Sequence, residues 1–211
     1  MLSRTLGRPR EHDQKTRLAL LAAAERQIAS GGPAAVSVRS VATEAGTTTR
    51  AVYALFGSKE GLLQALAVRA FEILSEHVDA VLLTDDPLHD LLRSGVIGFR
   101  GFALEHPDLF RLILGTGFTQ FKFGPEASAA GAAALNQLVG RVERAQQAGF
   151  LAGRDAQVVT LQLQATGNGM AALEICGMID SGMAEKLWHE TFRTLVRGWE
   201  RRAARPEAIA R

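Results

Sequence analysis

One cysteine, Cys176, stands in the whole chain. Without a second thiol there is no intramolecular disulfide framework and no multi-cysteine metal site. Aromatic residues are scarce at 6%, with one Tyr and two Trp against ten Phe. No apolar run approaches the roughly 20 residues that a membrane-spanning helix needs. The opening MLSRTLGRPREHDQK is basic and polar with no apolar stretch behind it, unlike a secretory signal. No stretch alternates polar and apolar residues as a half-buried strand does. These absences predict a cytoplasmic chain with no membrane partner. The 211 residues, 47% hydrophobic and 22% charged, have an ordinary globular composition. The length fits one domain, or a small one fused to a larger.

The net charge of +2 is unevenly spread: residues 1–60 carry nine basic and five acidic residues, and residues 61–211 carry fifteen and seventeen. A basic front with a near-neutral remainder points to a polyanion met by the front alone.

Helical periodicity organises the rest. A first helix begins near Asp13, with Leu18, Leu21, Ala22 and Ile28 on one period, and stops at Gly31-Gly32-Pro33. Ser37 is placed as the N-cap of a short helix closed by Gly46, and Thr47 or Thr48 caps another carrying Ala51, Val52 and Tyr53. Gly57-Ser58 starts a fourth helix, expected to run to about Leu83. Asp86-Pro87 opens one ending near Glu105, and His106-Pro107 opens a short one through Ile113. After a Gly- and Phe-rich loop, three long helices are expected over roughly 125–149, 154–179 and 183–203. The expectation is an all-α fold of about nine helices. The expected organisation is a flexible basic arm over 1–12, a small helical unit over 13–60, a larger helical unit over 61–203 and a frayed tail over 204–211.

The second and third helices, joined at Ala45-Gly46-Thr47, read as a helix-turn-helix, in which the second helix enters the major groove. Thr48, Thr49 and Arg50 stand at its start, and an Arg there can bond guanine bidentately, worth about 1–3 kcal/mol of discrimination. Tyr53 and Lys59 are suited to phosphate oxygens, which fix position without reading sequence. The string SVRSVATEAGTTTRAVYALFGSKEGLLQAL resembles the helix-turn-helix signature of the TetR family of bacterial transcriptional repressors. The residues that carry the resemblance are Val41, Ala42, Ala45, Gly46, Tyr53, Phe56, Ser58, Lys59, Glu60 and Leu62. The resemblance implies base or backbone contacts for Arg39, Thr48, Thr49, Arg50, Tyr53 and Lys59. It departs at Arg50, where a small residue is common, and at Leu55, where His or an aromatic is common.

Arg8, in Gly7-Arg8-Pro9, sits in an extended basic strip that fits a narrow minor groove and resembles the core of an AT-hook. A plain soluble tail accounts for it equally. The resemblance further implies a C-terminal effector-binding and dimerisation unit, with the last two long helices pairing in a homodimer on a pseudo-palindromic double-stranded operator. Phe99, Phe102, Phe110, Phe118 and Phe121, with Thr166 and Met170, are candidates to line a pocket for a small, largely apolar effector. Core packing explains each Phe as well. Gly167, Gly169 and Gly177 in a helical stretch suggest close backbone approach. An architectural DNA binder without an effector remains a rival. A helical-bundle enzyme is the other rival, and the residues argue against it: the five His form no HExxH, the formal glycine fingerprint at Gly167 follows a helix, and no cofactor or metal is expected.

Overall fold

The computed structural model describes residues 9–114 and 122–203, with side chains over 13–114 and 122–199. Among these residues there are helices and turns and no strand, so the fold is all-α. The helices are α1 (Pro9–Ala35), α2 (Val38–Glu44), α3 (Thr49–Phe56), α4 (Lys59–Asp79), α5 (Pro87–Arg93), α6 (Arg100–Glu105), α7 (Pro107–Leu114), α8 (Pro125–Gln147), α9 (Ala156–Ile175) and α10 (Ser181–Ala203). A π-helical segment, Ser94–Phe99, joins α5 to α6 in one continuous rod, which brings the helical bodies to the expected nine. No helix among the described residues is long and apolar enough to cross a membrane.

The caps fall where the sequence places them. Ser37, Thr48 and Ser58 each turn a side-chain oxygen back to accept a backbone N–H of the first helical turn. Gly46 and Gly57, at φ 66° and 73°, supply the left-handed turns that separate α2, α3 and α4. Leu20, Ala24 and Ile28 of α1, Val41 of α2, Val52 of α3 and Leu62 of α4 meet in one buried cluster. That burial compensates for helices of seven and eight residues, too short to be stable alone.

Three expectations change. Helix α4 ends at Asp79, short of Leu83, because Arg141 of α8 donates to the Val78 carbonyl at 2.7 Å and closes the helix end. Leu82 and Leu83 beyond it are exposed. Gly177 lies after the end of α9 at φ 77°, so it terminates that helix and does not sit within it. Cys176, just before it, is exposed. Helix α1 starts at Pro9, so the helix reaches into the segment read as an arm, while Arg8 and residues 204–211 lie outside the described residues.

Two buried carboxylates lock the larger unit. Asp90, 1% exposed, accepts from the Thr84 amide at 2.7 Å, the Thr84 hydroxyl at 2.8 Å and Arg144 at 2.7 Å. Burial opposes its charge, but these donors outweigh burial and hold the acid below its ordinary value of 3.8. Glu174 receives a bidentate bond from Arg100 and one from the Trp188 indole. The Arg100 guanidinium foremost, against burial, keeps that acid below its ordinary value of 4.5. A depressed folded-state value contributes stability that is fully present above the ordinary value and is lost as pH falls through the folded one. The thermal midpoint is therefore expected to be flat from pH 7 to about 5 and to fall steeply below about 4. Asp90→Asn is expected to lower the midpoint at pH 7 by about 4–8 °C, from roughly 2 kcal/mol, and to flatten the acid limb. Calorimetric scans of both proteins across pH 3–7 check this, and an unchanged acid limb in the variant would remove Asp90 as its source.

Candidate nucleic-acid interface and effector cavity

Helix α3 buries Val52 and half-buries Leu55 and Phe56, which fixes its rotation and turns Thr48, Thr49, Arg50 and Tyr53 outward. All four are exposed, Tyr53 by 54%. The inner side is braced by the Arg17 guanidinium, 4.8 Å above the Phe56 ring. Thr48 spends its acceptor capacity on the Ala51 amide, so its hydroxyl proton remains for an outside acceptor. Arg39 is exposed on α2, next to Ser40 and Thr43, which border the same shallow hollow as Ser37 and Glu44. The Glu44 acid is held below its usual range by bonds from Arg26 and Gln27, which also pin α2 to α1. Its negative charge is thereby paired on the protein and set against a cation. Lys59, half-buried, donates to the Ala34 carbonyl at 3.1 Å. This bond ties the start of α4 to the α1–α2 connection and leaves two of its three donors for phosphate.

The six described candidates for DNA contact thus fall on the exposed side of α2, α3 and the first turn of α4. Sequence reasoning passed over Ser40 and Thr43. Their spacing from Arg39, one and four residues on, would have put Thr43 on its helical face.

At the other end of α4 a cavity of about 90 Å³ opens between α4, α5, the π segment, α7, α8, α9 and α10. Its hollow comes from glycines set against phenylalanine rings. An added Cβ at Gly131 would stand 2.9 Å from the Phe71 ring, one at Gly167 3.3 Å from Phe99, and one at Gly95 3.5 Å from Phe192. The π segment contributes Ser94, Gly95 and Phe99, and the extra residue in its turn is what aims them inward. The polar lining is Ser94, Gln137 and Gln164. Ser94 is committed to the Leu91 carbonyl and Gln137 to Asp79, which leaves the Gln164 amide as the polar group best placed to orient a ligand.

Of the expected lining residues, Phe99 faces this cavity. Phe102 and Phe110 are buried at 0% and 2% in the core beside it and do not line it. Met170 is buried one turn beyond Gly167 on the same face of α9 and does not line the cavity, and Thr166 bonds the Gln162 carbonyl. Phe118 and Phe121 lie outside the described residues. Phe71, Phe192, Gly95 and Gly131 were not anticipated; a helical glycine opposite a distant Phe leaves no mark of its partner in a single sequence.

Residues 20–66 match the family described as bacterial regulatory proteins, tetR family, and residues 92–198 match the tetracyclin repressor-like C-terminal domain. The HTH-type transcriptional regulator Rv1816 of Mycobacterium tuberculosis is 28% identical over 128 residues, covering 59% of this chain and 54% of that protein. The chain therefore spans about half the length of this curated relative in the match. A solved protein of unknown function from Rhodococcus sp. RHA1 superposes with a TM-score of 0.75 at 28% identity, over 87% of this chain and 94% of its own. The TetR family transcriptional regulator PfmR from Thermus thermophilus shares the fold, with a TM-score of 0.66, 22% identity, and coverage of 84% and 97%. With both halves of the chain matched and the reading helix exposed on its scaffold, the protein belongs to the TetR family of DNA-binding transcriptional regulators.

Proposed function

We propose that the protein is a homodimeric repressor, released from a pseudo-palindromic operator by a small, largely apolar effector. The observation that carries this reading is one helix, α4, shared by two sites. Its first turn abuts the end of α3, and its far half supplies Phe71, Leu74 and Val78 to the cavity wall. The 90 Å³ cavity is smaller than the ~150 Å³ that takes up benzene in an engineered core. A larger effector must push its walls apart, and one of those walls is α4. Displacing α4 moves α3, and binding to the displaced form weakens operator binding by the same factor that the operator weakens the effector.

Support for the dimer comes from α9. Val158, Leu161 and Leu173 are exposed at 51%, 55% and 42%. Ala165, Gly169 and Ala172 are exposed between them, and a Cβ at Gly169 would meet nothing within 4 Å. An apolar strip with a small centre suits close packing against a second copy, and two copies would offer two α3 helices to half-sites a helical turn or a multiple apart.

Selection from a random DNA pool at two salt concentrations tests the reading. One enriched palindrome with steep salt dependence is expected. Salt-sensitive binding without an enriched motif would favour the architectural reading and sink this one. The palindrome then reports on a screen of small apolar compounds: release by one of them should vanish in Gly131→Leu, whose side chain fills the cavity.

A further inference from the structure

We infer that His77, Glu105 and His106 form a site for a divalent transition-metal cation of the Zn²⁺ class, with Glu25 positioning His106 from α1. The inference goes beyond the repressor reading and depends on neither operator nor effector.

The three side chains come from separate places: His77 from the last turn of α4, Glu105 from the end of α6, and His106 from the residue that closes α6. One ligand atom of each lies within 4.8 Å of the others. Both histidines are half-buried and Glu105 is exposed, so a cation can enter from solvent. Neither the reading helix nor the cavity lining uses any of them.

The hydrogen bonds fix what each ring presents. His77 Nδ1 stands 2.9 Å from the Ile73 carbonyl. A carbonyl only accepts, so Nδ1 carries the proton and Nε2 keeps its lone pair in the neutral ring. That lone pair faces a Glu105 carboxylate oxygen at 3.2 Å. Two acceptors at that distance require a positive centre between or beside them. A ring nitrogen with its other N–H held by a backbone carbonyl is also the usual arrangement of a metal-bound histidine. Two ligands about 2.0–2.1 Å from one tetrahedral Zn²⁺ stand roughly 3.3 Å apart, which the observed separation meets.

His106 repeats the pattern. Its Nδ1 lies 3.3 Å from Glu25 Oε1, so a neutral ring donates Nδ1–H to that carboxylate and keeps Nε2 as a donor of electrons. The two rings stand edge to face with centroids 5.8 Å apart. A proton on His77 would close the Glu105 contact alone, whereas a divalent cation closes it and engages His106 too. Ligands on one tetrahedral ion stand roughly 3.3 Å apart, so a pair at the 4.8 Å limit must close by about 1.5 Å when the ion binds. Two imidazoles and a carboxylate with positions left for water suit Zn²⁺, Ni²⁺ or Co²⁺ and disfavour Ca²⁺ or Mg²⁺, which take oxygen. Because Glu25 belongs to α1, the filled site would fasten the DNA-binding helices to the far end of α4.

The test is calorimetric titration of the untagged full chain with Zn²⁺ at pH 7.5, with Co²⁺ absorption as the geometric readout. One ion per chain is expected. His77→Gln combined with His106→Gln should weaken binding by at least 100-fold, and His89→Gln, an exposed histidine elsewhere, should leave it unchanged. Glu25→Gln should weaken it about 10-fold while keeping the Co²⁺ spectrum, the mark of a residue that orients a ligand without being one. Thermal midpoints of the metal-free variants, matched to the parent, show that each is folded. No uptake by the parent at 100-fold excess Zn²⁺, or equal uptake by the double variant, overturns the site. An unchanged affinity in Glu25→Gln overturns the link to α1.

Discussion

Arg50→Ala with Tyr53→Ala is expected to lower affinity for the selected operator by at least 100-fold while leaving the fold intact. Arg50 and Tyr53 are both exposed on α3, and neither side chain carries a hydrogen bond or ion pair within the described protein. Surface substitutions of this kind change stability by about 0.5 kcal/mol at most, so the thermal midpoint should move by no more than about 2 °C. The lost binding has two sources. An Arg bidentate to guanine contributes about 1–3 kcal/mol, and a phenol bonded to a charged phosphate about 1.5–3 kcal/mol. Each tenfold is about 1.4 kcal/mol, so a single half-site already loses about 60-fold or more, and a second half-site compounds it. The salt dependence separates the two kinds of contact. Arg39→Ala or Lys59→Ala should, for a phosphate contact, weaken all sequences alike and flatten the salt slope by about one per half-site. Arg50→Ala alone should instead relax the preference at one base pair. Titration of operator and scrambled DNA at several salt concentrations distinguishes these outcomes. An unchanged operator affinity in the double variant would move sequence reading from α3 to the Arg39, Ser40 and Thr43 side of α2.

The helix starts were legible because capping is local. Ser37, Thr48 and Ser58 bond amides three residues on, and Asp86 bonds the His89 amide just after a Pro. Such signals lie within four letters of one another. The end of α4 was not legible, since the Arg that closes it is on α8, 63 residues further along the chain. The same contrast holds for the sites. Thr49, Arg50 and Tyr53 share the outward side of one short helix that Thr48 caps, so their spacing alone groups them. The cavity is assembled from six helices and the π segment, and its hollow depends on which glycine meets which ring. A cluster of Phe in sequence therefore pointed to the right region but mixed a lining residue, Phe99, with core residues, Phe102 and Phe110. The pairing of His77 with His106 needs the fold, because 29 residues separate them and the connecting rod turns back along α4.

Gly61→Ala is expected to destabilise the protein by about 3 kcal/mol and to abolish operator binding before it abolishes the larger helical unit. A Cβ at Gly61 would stand 1.9 Å from the Phe56 carbonyl oxygen and 3.1 Å from its carbon. Those are backbone atoms of the last residue of α3, so no side-chain rotation relieves the overlap. The first turn of α4 and the last turn of α3 must separate by more than an ångström, which disturbs both the Gly57 turn and the Ser58 cap that bonds the Gly61 amide at 2.9 Å. For a chain of this length, 3 kcal/mol corresponds to a drop of about 6–12 °C in the thermal midpoint. The comparison that isolates the cause is Gly140→Ala, because a Cβ there meets nothing within 4 Å. That change should stabilise slightly, by about 0.5–1 kcal/mol, through the higher helix propensity of Ala. An unshifted midpoint and full operator affinity in Gly61→Ala would mean that α3 and α4 do not touch so closely. They would also remove the mechanical basis of the proposed effector release, which needs direct backbone contact between these helices to convert a tilt of α4 into a displacement of the reading helix. Loss of operator binding with the cavity still taking up a small apolar probe would place the junction, and not the sensor, as the transmitting element.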